Sequence, residues 1–177
     1  SRPAAQSMAE TMGISYEEGF IKNRYSGRTF IMPDQTSRDV ALRLKLNPIP
    51  EIFSNRRVIL VDDSIVRGST MRRIVQMIRK LNPKELHVAI YSPAVRHPCF
   101  YGIDMPSHDE LVAAGMEDGS LELELARRFG ADSVTFLSAK GLEAVSGSDI
   151  CAACFTGRYP VAVAEHEKGF ILHDRRS

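Results

Sequence analysis

Apolar and polar positions along the chain follow two alternating periods, which predict strands followed by helices. The unbroken apolar run at residues 57–61 (RVILV) is typical of a strand buried on both faces of a parallel sheet. Helical spacing of apolar residues then predicts a helix over 70–81, with Thr70 as its cap. Further strands are predicted at residues 86–91 and 133–137. This alternation indicates an α/β fold with a mainly parallel sheet flanked by helices.

The other helices are predicted from their start and stop signals. Ser1 and the Pro that follows Arg2 mark the beginning of a helix that Gly13 ends. The stretch SHDE at residues 107–110 is a capping box, which predicts a short helix ending at Gly115. One more helix is predicted over residues 120–129, with a glycine directly after it.

The pattern is weaker at the two ends of the chain. Residues 16–21 are predicted as a strand, residues 22–36 as a long polar loop that orders only around a ligand, and residues 37–46 as a basic helix. Past residue 145 the pattern dissolves, so we expect a domain over 1–145 and an irregular Cys-containing tail over 146–177. A helix cap at the first residue is unusual for a natural start, and we expect a fragment of a longer protein.

Composition and charge narrow the function classes. Hydrophobic residues make up 44% and charged residues 25%, as in ordinary globular domains, and no apolar run approaches the length of a membrane span. The net charge of +1 gives no reason to expect a nucleic-acid partner. However, residues 1–80 hold 14 Lys and Arg against 8 Asp and Glu, a net of +6 that leaves −5 for the rest. This asymmetry indicates a local anion site.

The stretch VILVDDSIVRGST, residues 58–70, carries the most specific chemistry. A buried strand ends in Asp62 and Asp63, and a loop of small residues leads into a helix start. Such a loop presents backbone N–H groups to an anion, most often a phosphate. Since carboxylates would repel that phosphate, they must face something else, and sugar hydroxyls or Mg²⁺ fit. The spacing predicts a ribose-phosphate site; the alternative is a solvated acidic turn.

Three stretches of the chain resemble one enzyme family. They are KNRYSGRTFI at 22–31, VDDSIVRGST at 61–70 and HPCFYGIDMPS at 97–107. The second resembles the signature with which type I phosphoribosyltransferases bind phosphoribosylpyrophosphate (PRPP). All three, in this order, are similar to the glutamine phosphoribosylpyrophosphate amidotransferases, over roughly residues 1–160.

The resemblance implies a reaction and a set of partners. Ammonia released from glutamine would displace pyrophosphate from C1 of PRPP and give 5-phosphoribosylamine, the first committed step of purine biosynthesis. It further implies a cytoplasmic homo-oligomer, a tetramer in the family, inhibited by purine nucleotides. The family's N-terminal glutaminase domain is absent from these residues. A PRPP-binding regulatory module without turnover and a salvage phosphoribosyltransferase are the alternatives.

The resemblance also assigns roles to individual residues. The basic segment between residues 22 and 45 is similar to a loop that closes over PRPP, where cations meet the charge that develops on the departing pyrophosphate. A solvated basic face is the alternative. The expected catalytic residues are Lys22, Arg28 and Lys45. Mg²⁺ is expected at Ser1, Asp62 and Asp63. PRPP is expected to bind Asp62, Asp63, Ser64, Ile65, Val66, Arg67, Gly68, Ser69 and Thr70.

Cys99 and the pair Cys151 and Cys154 form a second constellation. A CxxC spacing brings two thiolates within reach of one metal, and a third can join them. Among the members of the family, this chain resembles those that hold a structural [4Fe–4S] cluster, and the fourth Cys ligand of that cluster lies outside these residues. A zinc site or an inert thiol pair are the alternatives. So few cysteines favour a reducing compartment over a disulfide scaffold.

Overall fold

The computed structural model describes residues 1–22, 46–147 and 149–162. Its centre is a parallel sheet of three strands in the order β3-β4-β5, formed by Arg57–Asp62, Glu85–Ile90 and Ser133–Phe136. The register sets Asp62 beside Ile90, and Ile90 beside Phe136, so the carboxyl ends of all three strands meet at one edge. In such sheets ligands bind at this edge.

Helices cover the sheet. Helix α3 (Ser69–Arg79) connects β3 to β4, and helix α4 (Asp118–Phe129) precedes β5 and packs against both α3 and β5. Among the described residues, every buried side chain between the helices and the sheet is apolar. Both helices and the sheet contribute side chains that are almost completely buried. These side chains are Val75, Ile78, Leu86, Val88, Leu125 and Val134. The predicted α/β fold with a parallel sheet flanked by helices is therefore confirmed.

The N-terminal part places one helix and one hairpin-like pair beside this core. Helix α1 (Arg2–Met12) has Ser1 as its N-cap and Gly13, with φ of 64°, as its left-handed C-cap, and it contacts β3. Strands β1 (Phe20–Lys22) and β2 (Leu46–Pro48) pair antiparallel. Helix α2 (Pro50–Phe53) follows, and Phe53 packs its ring against Phe20 at a centroid distance of 5.5 Å.

The structure corrects several predicted boundaries. Leu46 lies in β2 and not at the end of a basic helix, and Lys22 belongs to β1 and not to a loop. The early strand begins at Phe20, four residues later than predicted. The rest of the predicted loop and basic helix, residues 23–45, lies outside the described residues. In the described ranges, no helix has the length and apolar character required to cross a membrane.

The C-terminal part holds more helix than predicted. Helix α5 (Ala139–Ser146) begins at Ser138, whose Oγ accepts a hydrogen bond from the Gly141 backbone N–H at 2.9 Å. This helix crosses the boundary proposed at residue 145, and Gly147 ends it. Helix α6 (Ala153–Thr156) lies within the tail that was predicted to be irregular. The predicted capping box at 107–110 is present, but it opens a 3-10 turn, His108–Glu110, and not an α-helix.

Candidate phosphoribosyl site

The two adjacent carboxylates stand where β3 leaves the sheet. Asp62 is the last residue of β3, and its Oδ1 accepts a hydrogen bond from the Asp63 backbone N–H at 3.0 Å. The pairing of β3 with β4 reaches the end of β3, because the Tyr91 N–H donates to the Asp62 carbonyl oxygen at 3.2 Å. Asp62 is partly buried and Asp63 is exposed. The pair therefore lies at the carboxyl edge of the sheet, open on one side.

Electrostatics at this edge disfavour a bare negative charge. Burial raises the pKa of Asp62 to about 6, and a hydrogen bond to the Asp63 side chain and its charge add to the effect, whereas the hydrogen bond from the Asp63 backbone N–H lowers the pKa. Helix α1, whose N-cap is Ser1, contacts the strand that Asp62 ends. Two carboxylates in one partly buried place are stabilised by a divalent cation or by hydroxyl donors.

The site loop, residues 64–70, is fixed to the core at two points. Ile65 is buried in the core cluster, and Gly68 is buried with φ of 75° as the N-cap of α3. A Cβ built on Gly68 would lie 3.0 Å from the Phe129 ring and 3.1 Å from the Val112 side chain. Only glycine combines this left-handed backbone with so close an approach. The predicted cap at Thr70 is therefore wrong, and the helix begins one residue earlier, at Ser69.

The fixed points leave the polar groups of the loop facing outward. Ser64 and Ser69 are partly exposed and Thr70 is exposed. No side chain in the described ranges caps the N-terminus of α3. The first-turn N–H groups, the hydroxyls and the positive end of the helix dipole together suit a phosphate group.

A second segment holds the site loop from the side. We call this segment, residues 107–112, the bracing segment. Its Val112 N–H donates a hydrogen bond to the Val66 carbonyl at 2.9 Å. Glu110 accepts hydrogen bonds from Arg67, at 3.0 Å from Nε and 3.4 Å from Nη2. The same carboxylate accepts from the Ser107 N–H at 3.3 Å and from its hydroxyl at 3.2 Å. Sequence reasoning found the capping box but missed this contact with the loop.

The predicted site residues fall into three groups. The structure brings together Asp62, Asp63 and the whole site loop, with Ser1 nearby. Lys22 lies in β1, on the other sheet. Arg28 and Lys45 lie outside the described residues. Arg67, predicted to bind PRPP, turns its guanidinium toward Glu110.

The three thiols lie in one region of the C-terminal part. Burial raises the pKa of Cys154, and the neighbouring Cys99 and Cys151 raise it further. The Cys154 carbonyl accepts hydrogen bonds from the Arg96 and His97 N–H groups, at 2.9 and 3.0 Å. All three are free cysteines. Within the part of the chain that the structure describes, no three His, Cys, Asp or Glu side chains are grouped to hold a metal ion.

Aromatic contacts attach the tail to the core independently of any metal. The Tyr159 hydroxyl donates to the Pro98 carbonyl at 2.7 Å, and the Tyr101 hydroxyl donates to the Val161 carbonyl at 2.7 Å. The rings of Phe100 and Tyr159 lie 5.1 Å apart. These contacts keep the CxxC beside Cys99.

The α/β fold with two acids and a loop at a strand end is typical of a phosphoribosyl transferase domain, and comparison with known proteins agrees. The family model described as the phosphoribosyl transferase domain matches residues 1–97, and the chain belongs to this family. The amidophosphoribosyltransferase of Synechocystis sp. is 48% identical over 166 residues, which are 92% of this chain and 33% of that protein.

Solved structures give the same result. The glutamine PRPP amidotransferase from B. subtilis, complexed with ADP and GMP, superposes with a TM-score of 0.76 at 46% identity, covering 92% of this chain and 36% of that one. A structure described as the allosteric regulatory enzyme of purine biosynthesis gives 0.73 at 46% identity, covering 89% and 35%. The chain thus spans about a third of the length of these relatives.

Proposed function

We propose that this chain is the phosphoribosyltransferase part of an amidophosphoribosyltransferase, which joins ammonia nitrogen to C1 of PRPP. One observation carries the proposal: Asp62 ends a strand of the parallel sheet, Asp63 follows it, and both lead directly into a fixed loop at the N-terminus of α3. This arrangement offers separate places for the two ends of a ribose phosphate. The similarity to amidophosphoribosyltransferases over nine-tenths of the chain selects ammonia among possible nucleophiles.

The site residues divide the substrate between them. The N–H groups and hydroxyls of the site loop would hold the 5-phosphate, while Asp62 and Asp63 would accept hydrogen bonds from the ribose hydroxyls or bind Mg²⁺. Hard carboxylate oxygens are the donors that Mg²⁺ prefers, and Ser1, the N-cap of the helix that contacts β3, is proposed to add a hydroxyl. When bound, the ion would neutralise charge on the pyrophosphate.

The reaction then needs little covalent chemistry from the protein. The ammonia nitrogen forms a bond to C1 as the bond from C1 to the pyrophosphate oxygen breaks. One proton leaves the new ammonium group for solvent, and pyrophosphate departs with both bonding electrons. Lys22, Arg28 and Lys45 are proposed to meet the charge on the departing oxygens.

The remaining proposals concern the protein around this site. We propose a glutaminase domain as the source of ammonia, purine nucleotides as inhibitors, and a homo-oligomer, with a tetramer as the family form. The relative from B. subtilis holds ADP and GMP, which supports nucleotide binding. Three free cysteines support a reducing compartment, and we propose the cytoplasm.

The catalytic unit is proposed to extend through α5 to Gly147.

The proposed activity is tested on the 177-residue chain with Mg²⁺, PRPP and either ammonium or glutamine. We expect phosphoribosylamine from ammonium, at a low rate, and none from glutamine. Glutamine hydrolysis needs an activated nucleophile, and burial raises the pKa of Cys154 instead of lowering it. Product formed equally well from glutamine contradicts this division. PRPP binding without turnover indicates the regulatory module, and turnover with a purine base indicates the salvage enzyme.

We also propose that Cys99, Cys151 and Cys154 are ligands of a [4Fe–4S] cluster whose fourth thiolate comes from outside these residues. Iron–sulfur clusters are held by thiolates, and the three thiols share one region, although the described side chains are not gathered as a metal-ready group. The cluster would act structurally, beside the Tyr101 and Tyr159 contacts that attach the tail.

Anaerobic reconstitution with iron and sulfide tests this assignment, with a free thiol in the buffer as fourth ligand. We expect iron uptake and broad visible absorption in the wild-type chain, and their loss in Cys99→Ser and in Cys151→Ser. Elemental analysis of the same samples separates the alternatives. Zinc in place of iron, or no bound metal, contradicts the cluster.

A further inference from the structure

The contact between Arg67 and Glu110 joins two parts of the chain that are 43 residues apart. Arg67 lies in the middle of the site loop, between the buried anchor Ile65 and the N-cap Gly68. Its Nε and Nη2 both donate hydrogen bonds to the Glu110 carboxylate. Such a two-point contact fixes the orientation of the guanidinium as well as attracting it. The Arg67 side chain is thereby committed to Glu110 of the bracing segment.

Glu110 is itself held in place by its own segment. Its Oε2 accepts from both the N–H and the hydroxyl of Ser107, so the carboxylate closes the capping box of the 3-10 turn. These hydrogen bonds, with Arg67 as the first cause, hold the pKa of Glu110 below its usual range. The carboxylate is therefore charged at neutral pH and accepts at both oxygens.

Two other contacts act at the same junction. The Val112 N–H donates to the Val66 carbonyl at 2.9 Å, next to Arg67 in the chain. The Val112 side chain and the Phe129 ring also bound the space beside Gly68. Backbone, packing and charge thus connect the bracing segment to three consecutive residues of the site loop, 66–68.

We infer that Glu110 is a positioning residue for the site loop, which acts through Arg67 to set the loop amides in the geometry that binds the PRPP phosphate. The inference rests on the proposed function, because it assigns the loop a phosphate to bind. Glu110 does not touch the substrate. Its removal leaves the phosphate-binding groups present but lets the loop sample other geometries, which weakens binding more than turnover.

The chain offers a closely matched control. Arg128 donates its Nε to Glu124 Oε1 at 2.8 Å, against 3.0 Å for Arg67 and Glu110. The two acids are 42% and 45% exposed, so the ion pairs differ little in solvation. Glu124 lies on α4 and has no contact with the site loop among the described hydrogen bonds. Exposed pairs of this kind contribute little by themselves to stability.

We expect Glu110→Ala to raise the KM for PRPP about fivefold to tenfold, with a smaller change in kcat, in ammonia-dependent assays of the same chain. Arg67→Met is expected to match it, and the double variant to be no worse than either single one, since both remove one contact. Glu110→Gln keeps one acceptor oxygen for Ser107 but replaces the other with an NH2 group that cannot accept from Arg67, so it is expected to recover only part of the affinity. Glu124→Ala is expected to leave KM unchanged.

Hydrogen exchange gives a readout that does not depend on turnover. Amides of residues 64–70 are expected to exchange faster in Glu110→Ala than in Glu124→Ala, while the amides of β4 remain protected in both. An unchanged KM in Glu110→Ala, or additive losses in the double variant, overturns the inference while the proposed function stands. A wild-type chain that does not bind PRPP overturns the proposed function and the inference together.

Discussion

Replacing both acids at the end of β3, in the variant Asp62→Asn/Asp63→Asn, is expected to reduce PRPP-dependent turnover at least about a hundredfold while the fold persists. Asparagine keeps the size of each side chain but cannot hold Mg²⁺ with charge or accept two strong hydrogen bonds from ribose hydroxyls. Both the position of C1 and the neutralisation of pyrophosphate are lost with that charge. Ammonia-dependent phosphoribosylamine formation measures the effect.

Stability should move in the opposite direction from activity. Because burial raises the pKa of Asp62 to about 6, the ionised form is disfavoured in the folded state. A carboxyl group with a raised pKa costs stability above that pKa, and the cost disappears as the pH falls through it. The change Asp62→Asn removes this cost, so the melting temperature of the variant at about pH 7.5 is expected to be equal or slightly higher.

A second adjacent acid pair provides the control. Glu17 and Glu18 are exposed and form surface ion pairs with Arg56 and Arg2. The variant Glu17→Gln/Glu18→Gln loses the same two charges and is expected to keep its turnover. If the variant at positions 62 and 63 retains near wild-type turnover, the assignment of the ribose and Mg²⁺ site is wrong. Equal loss in both double variants points to overall charge instead.

The parts of the fold that were predicted correctly rest on local signals. The apolar run 57–61 and the helical stripe after it are each strong within a dozen residues, and they suffice to place the acids at a strand end. The prediction that this strand is buried on both faces is wrong, because β3 is an outer strand of the described sheet, with Arg57 exposed and the other residues partly exposed. The capping box at 107–110 is likewise readable from four residues. In these segments local preference and tertiary packing agree.

The errors fall where tertiary contacts decide. The sequence predicts that a helix ends at residues 46–48. Instead these residues form β2, because β1 pairs with them in the short antiparallel sheet. Among the described residues, β2 has β1 as its partner strand on one side only, and proline is tolerated at such a sheet edge. Helix α5 was missed because Gly141 weakens its helical pattern, although Ser138 supplies a capping signal. Local sequence contains the start of this helix but not the reason that it continues.

The most informative omission is Glu110. Its local role as a capping residue is visible in the sequence, but its bond to Arg67 spans 43 residues and depends on how the bracing segment crosses the edge of the sheet. The same segment brings Val112 to the side of Gly68, where the Phe129 ring at the end of α4 also lies. Sequence reasoning therefore identified the groups that are proposed to bind the substrate and missed the residues that contact the site loop from the bracing segment.

Gly68 is where these supports meet, and Gly68→Ala is expected to weaken PRPP binding at least about tenfold and to lower the free energy of unfolding by about 1–3 kcal/mol. The new Cβ would lie 3.0 Å from the Phe129 ring and 3.1 Å from Val112, on a backbone with φ of 75°. The loop can relieve this contact only by moving its amides, so PRPP binding is lost together with stability.

The control separates crowding from backbone strain. Gly130 is also left-handed, with φ of 82°, but a Cβ there would meet open space. Gly130→Ala is expected to cost about 1 kcal/mol and to leave PRPP affinity unchanged, because it carries the strain without the collision. Denaturant unfolding and PRPP titration of both variants measure the two effects. The prediction is contradicted if Gly68→Ala and Gly130→Ala lose the same stability and neither changes PRPP affinity. In that case the position of the site loop against Phe129 and Val112 does not determine phosphate binding.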